Sequence, residues 1–126
     1  MIQQKQIFIV DDNEMFAQML NDHLSENPEF NVSVFKTGEE CLKNLFQNPD
    51  LIILDYYLND ESKDAADGLE ILSEIKEHNE KIHVIMLSGQ EHYGIALQTI
   101  AKGAAQYVIK DDHAFEKISE YLKELE

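Results

Sequence analysis

Five polar residues stand at or beside the ends of four apolar runs. Asp11 and Asp12 follow residues 7–10, Asp55 follows 51–54, Ser88 follows 83–87 and Lys110 follows 107–109. Three carboxylates, a hydroxyl and an ammonium are a set that can hold a divalent cation and handle a phosphoryl group. Crowded carboxylates repel each other, and some would take up protons unless a cation joined them. Magnesium is the fitting cation, because it takes oxygen ligands from one or two carboxylates together with water and phosphate oxygens. Asp55, behind four apolar residues, is placed to attack phosphorus and form an acyl phosphate. Ser88 can donate a hydrogen bond to a phosphoryl oxygen, Gly89 leaves room for close approach, and Lys110 supplies a compact positive charge. Asp11, Asp12 and Asn13 are also good helix caps. Capping by one of them explains neither the doubled aspartate nor Asp55.

Positioning these groups in one pocket requires strands that end side by side, and the chain alternates between strand and helix periods accordingly. Residues 6–10 form a short β-rich run. Residues 14–24 then place Met15, Phe16, Met19, Leu20 and Leu24 at helical spacing, and Asn27-Pro28 stops that helix. Val32, Val34 and Phe35 mark a second strand. Thr37 and Glu40 have the spacing of a capping box that opens a helix through about Phe46, before a turn at Asn48-Pro49. Residues 51–54 are apolar on both faces, as expected of a central parallel strand. The polar stretch 59–67 precedes a helix from Gly68 to about His78. Residues 82–87 give the fourth strand, residues 91–102 a helix ending at Gly103, and residues 106–109 the fifth strand. Asp111 or Asp112 is expected to cap a last helix with Phe115, Ile118, Leu122 and Leu125 on one face. Five repeats of strand then helix imply an α/β fold, one doubly wound parallel sheet filling residues 1–126. In such sheets the carboxyl ends of the strands border the ligand crevice.

The 126 residues carry 25 acids against 10 lysines and no arginine, a formal net charge of −15. Nucleic acid and anionic membranes are held by basic side chains, so neither is an expected partner; proteins and a divalent metal are. Residues 1–10 lack a basic start followed by a long apolar stretch, and no apolar run approaches the ~20 residues of a membrane span. A cytoplasmic location is therefore expected. Cys41 has no second cysteine to pair with and, among Leu42, Leu45 and Phe46, reads as a small buried hydrophobe. The five histidines are dispersed without zinc spacing.

On Asp11-Asp12, Asp55 with Gly68 downstream, Ser88-Gly89, Tyr107 and Lys110, in that order, the chain resembles the receiver domain of bacterial two-component response regulators, the CheY-like superfamily. The likeness runs from about Gln6 to Leu125. It implies a flavodoxin-like fold with strand order 2-1-3-4-5 and five flanking helices. It implies that Asp55 accepts a phosphoryl group from a phosphohistidine on a sensor kinase or phosphotransfer protein, the chain catalysing its own phosphorylation and dephosphorylation without being an enzyme otherwise. Asp12, Asp55 and the backbone carbonyl of Tyr57 would bind Mg2+ directly, and Asp11 largely through water. Ser88, the Gly89 amide and Lys110 would hold the phosphoryl oxygens. Ser88 and Tyr107 match the family's switch pair, which changes the surface of the fourth helix and fifth strand for a downstream protein to read. No output domain is expected within residues 1–126.

Some positions depart from the family pattern. The loop from Asp55 to Gly68 is long and lacks the usual proline; residues 59–67 are most simply a solvated insertion, the alternatives being a part in kinase choice or an extra metal ligand. Asp111 stands where the family usually has a proline after the lysine, so a trans bond is expected there, and the Asp111 carboxylate could compete for Lys110. Tyr57 and Gln90 occupy positions that tune water access, and Tyr57 could shield an acyl phosphate. Two rival readings share parts of this pattern. A flavodoxin would need a hydroxyl- and glycine-rich loop where Asp11-Asp12 stands. An aspartyl phosphatase would need a second Asp where Tyr57 stands.

Overall fold

A computed structural model of the chain describes residues 4–58, 67–89 and 93–125. Five strands alternate with helices: β1 (Lys5–Val10), α1 (Glu14–Ser25), β2 (Phe30–Phe35), α2 (Gly38–Lys43), β3 (Leu51–Asp55), α3 (Gly68–His78), β4 (His83–Ser88), α4 (Tyr93–Ala101), β5 (Gln106–Ile109) and α5 (Ala114–Glu124). The strands form one parallel sheet in the order β2-β1-β3-β4-β5. The expected doubly wound α/β architecture and its strand order are therefore present. Registers such as Val10 opposite Leu54 and Asp55 opposite Leu87 bring the strand ends level.

The inner strands explain why the sheet is covered on both sides. All five residues of β3 are buried, and so are Ile7 to Val10 of β1. Alternate side chains of a strand point to opposite faces. Phe8, Val10, Ile52 and Leu54 pack with Cys41, Ile71, Leu72 and Ile75 beneath α2 and α3. Ile7, Ile9, Leu51 and Ile53 pack with Ala17, Leu20, Leu24, Ile118 and Leu122 beneath α1 and α5. β2, at one edge, is only partly covered, with Asn31 and Val34 exposed. Cys41 is fully buried, and burial pushes its thiol up to about 12, which suits an inert core residue.

Three local expectations need correction. On α1 the buried stripe is Ala17, Leu20 and Leu24, while Met15 and Met19 are exposed. The apolar spacing was right for a helix but spread wider than the face that the sheet covers. α2 stops at Lys43 instead of about Phe46, and a 3-10 turn at Leu45–Gln47 follows. There the Asn44 side chain donates to the Glu40 carbonyl, the local backbone competition that makes asparagine a poor helix-interior residue. Leu45 is buried by this tightening, and Phe46 is left 73% exposed. At α5 neither Asp111 nor Asp112 is the cap. His113 holds that position without a side-chain hydrogen bond, and Asp111 instead accepts from the His113 amide at 2.9 Å. Gly103 does end α4 in the left-handed region, at φ 109°. Residues 59–66 and 90–92 lie outside the described residues, and with them most of the long loop and Gln90.

Candidate functional site

The chain turns in opposite directions from β1, toward β2 on one side and β3 on the other, and the crevice above such a reversal is where doubly wound sheets bind ligands. Asp11 and Asp12 follow β1 and Asp55 closes β3, so the sequence delivers its acids to that point. The Asp11 amide donates to the Phe35 carbonyl at 3.0 Å, which ties it to the end of β2. Its Oδ1 accepts from the Asn13 amide at 2.9 Å. Asn13 in turn caps α1, its Oδ1 accepting from the Phe16 amide at 3.1 Å. One residue of the polar trio thus caps the helix, and both aspartates stay with the crevice.

Asp11 and Asp55 are almost fully buried, at 1% and 3% exposure. One carboxylate oxygen from each of Asp11, Asp12 and Asp55 lies within 4.8 Å of the others. The Lys110 ammonium reaches Asp11 Oδ2 at 2.8 Å and Asp55 Oδ1 at 3.6 Å. The Tyr57 amide donates to Asp55 Oδ1 at 3.3 Å. Burial, with the Asp11 charge next, pushes the Asp55 carboxyl up to about 7; Lys110 and the Tyr57 amide oppose that, and Asp12 adds to it. Two buried carboxylates therefore share one ammonium, and Asp55 remains short of positive charge. An all-oxygen cluster in that condition has the donor chemistry of a hard-cation site.

Gly68 sets the Asp55 strand end from below. Its amide donates to the Tyr56 carbonyl at 2.9 Å, and a Cβ on it would stand 2.4 Å from the Asp55 carbonyl oxygen. Only glycine lets α3 begin so close to the acceptor. Ser88 is fully buried at the end of β4, and its carbonyl accepts from the Lys110 amide at 2.9 Å, so the two residues share one strand junction. A Cβ on Gly89 would meet no atom within 4 Å, which leaves open space over the crevice. Tyr107 of β5 pairs with Met86 of β4 and packs half-buried on the core beneath α2 and α3. The Tyr57 ring meets Tyr56 edge to face at 4.8 Å. The described residues contain no cis peptide bond, so Lys110–Asp111 is trans as expected. The Asp111 carboxylate turns to His113, while Lys110 turns to Asp11 and Asp55. Sequence reading did not anticipate the contact made by Phe16, whose ring centroid lies 4.7 Å from Lys110 Nζ. Its one signal was an aromatic residue a helical turn beyond Asp12.

Residues 7–123 match the family model of the response regulator receiver domain. The chain belongs to that family. This receiver is 32% identical over 110 residues to the chemotaxis protein CheY of Halobacterium salinarum, the match covering 84% of each chain. It is 27% identical over 106 residues to the transcriptional regulatory protein MalR of Bacillus subtilis, where the match covers 82% of the receiver and 43% of MalR. The receiver thus spans under half the length of that regulator. Its fold superposes on the receiver domain of NtrX from Brucella abortus with a TM-score of 0.81, at 25% identity and over 95% and 99% of the two chains. Receivers of this family signal through phosphorylation, interact with kinases or phosphotransfer proteins, and bind Mg2+ at an acidic pocket. Among the described residues no helix is long and apolar enough to cross a membrane.

Proposed function

We propose that this receiver takes a phosphoryl group onto Asp55 from the phosphohistidine of a sensor kinase or phosphotransfer protein and then presents a changed protein-binding surface. The observation that carries the reading is the meeting of Asp11, Asp12, Asp55 and Lys110 at the switch point of the sheet. An Asp55 carboxylate oxygen attacks phosphorus as the bond to the donor imidazole breaks; the electron pair of that bond leaves with the imidazole nitrogen. Lys110 and the hydroxyl of Ser88 take the phosphoryl oxygens, with the Gly89 amide beside them. Asp12, Asp55 and the Tyr57 carbonyl would hold Mg2+ directly, and Asp11 would do so through water. When bound, Mg2+ would supply positive charge to the phosphoryl and carboxylate oxygens, so that catalysis is chiefly positioning and electrostatics. Ser88 and Tyr107 form the switch: movement of the hydroxyl toward phosphate opens space for the ring, and the face of α4 and β5 is read by a protein target.

Residues 1–126 act in this reading as one receiver unit in the cytoplasm, catalysing its own phosphorylation and dephosphorylation, without contact to nucleic acid or membrane. The net charge of −15 supports the last point. The test is labelling with phosphoramidate and Mg2+, read by intact mass. One phosphoryl group per chain is expected, lost in Asp55→Asn and on chelation. Labelling that persists in Asp55→Asn, or many turnovers of a phosphate ester per chain, overturns the proposal.

A further inference from the structure

Lys110 must hold a long, flexible stem so that its ammonium stands beside Asp55. The strand fixes its backbone through the amide bond to Ser88, but the head is set by what surrounds it. Among the described residues its neighbours include two carboxylates and the face of Phe16, 4.7 Å from Nζ to ring centroid. An aromatic face attracts an ammonium without adding a formal charge or taking up its N–H donors as an ion pair does. The contact is therefore suited to orienting a lysine whose donors are needed by an incoming anion.

The Phe16 ring is itself braced. Phe115 of α5 meets it edge to face, with centroids 5.7 Å apart and planes at 64°. His23 of α1 stacks on Phe115 at 5.3 Å and 30°, and His23 Nε2 lies 2.9 Å from Ser119 Oγ. Three rings in a row thus run from a hydrogen-bonded anchor between α1 and α5 to the ammonium in the crevice. A core phenylalanine needs only apolar neighbours, whereas this one turns its face to a charge.

We infer that Phe16 is a positioning residue for Lys110, its braced ring holding the ammonium over Asp55 where an incoming phosphoryl group needs it. The role rests on the receiver reading above, in which Lys110 binds phosphoryl oxygens. Phe16→Leu keeps apolar bulk and removes the aromatic face; Phe16→Tyr keeps the face. Two readouts decide the matter. In wild-type protein the ring current of Phe16 shifts the Lys110 Hε resonances upfield, a signature lost in Phe16→Leu and retained in Phe16→Tyr. With phosphoramidate and Mg2+, Phe16→Leu labels Asp55 about fivefold more slowly, and Phe16→Tyr labels at the wild-type rate. Unshifted Lys110 resonances in the wild type overturn the inference even if Phe16→Leu fails to fold. Equal labelling by folded Phe16→Leu and wild type removes the role of Phe16 alone. Wild-type protein that takes up no phosphoryl group removes the receiver reading itself, and this role with it.

Discussion

Asp55 sits in surroundings that penalise its own charge. Its carboxyl ionises near 3.8 in an ordinary setting and is pushed up to about 7 in the metal-free fold, by burial first and then by Asp11. The folded state therefore holds its proton more tightly than the unfolded chain does. The resulting penalty is absent below about 3.8, grows as pH rises and is complete above about 7. In chelated protein Asp55→Asn should accordingly unfold several degrees above wild type at pH 8, with the gap closing toward pH 4; an equal gap at both values would contradict the assignment. Ser88 makes the second prediction at this scale. A hydrogen bond to a charged group contributes about 2 kcal/mol, so Ser88→Ala should fold and label Asp55 about thirtyfold more slowly. Labelling rates from intact mass check this.

Among the elements, the junction between β3 and α3 is the least forgiving. A Cβ at Gly68 would meet backbone, the Asp55 carbonyl oxygen at 2.4 Å and Tyr56 Cα at 2.7 Å, and backbone cannot step aside as a flexible side chain can. Gly68→Ala should cost about 3 kcal/mol in urea unfolding and slow labelling of Asp55 because the acceptor's own strand end shifts. Where the sheet begins, the Asn13 side chain closes the first turn of α1. Asn13→Ala should cost about 1 kcal/mol in the same assay, since the Phe16 amide loses its acceptor while both aspartates keep their places. A loss confined to stability would mark Asn13 as a cap alone.

For the whole molecule, charge is the dominant collective property. With 25 acids and 10 lysines the folded chain repels itself. Sodium chloride at physiological strength shortens the screening length to about 8 Å, so the melting temperature should climb with salt even in chelated protein. A melting temperature that falls or stays flat between low salt and that strength would show that local ion pairs outweigh the collective repulsion. The two apolar layers are unaffected by such screening, because the sheet separates one from the other and the flanking helices cover each from water.

The sequence by itself determined the alternating α/β plan, the parallel sheet and the polar residues at its strand ends. A run such as Leu51-Ile-Ile-Leu54 can be buried on both faces only inside such a sheet, and a carboxylate directly behind it has little choice but the crevice. Tertiary structure decided the rest. Which member of Asp11-Asp12-Asn13 caps α1 depended on the exact turn off β1, and it fell to Asn13. The outward turn of Met15 and Met19 depended on how far the sheet reaches across α1. Apolar period reports what a segment hides but not the breadth of the surface that hides it. The place of Phe16 under Lys110 depended on α1 packing against α5, whose Phe115 meets the ring, a contact between stretches far apart in the chain. Spacing within a segment carries no record of such lateral contacts, which are set by sheet register and helix packing.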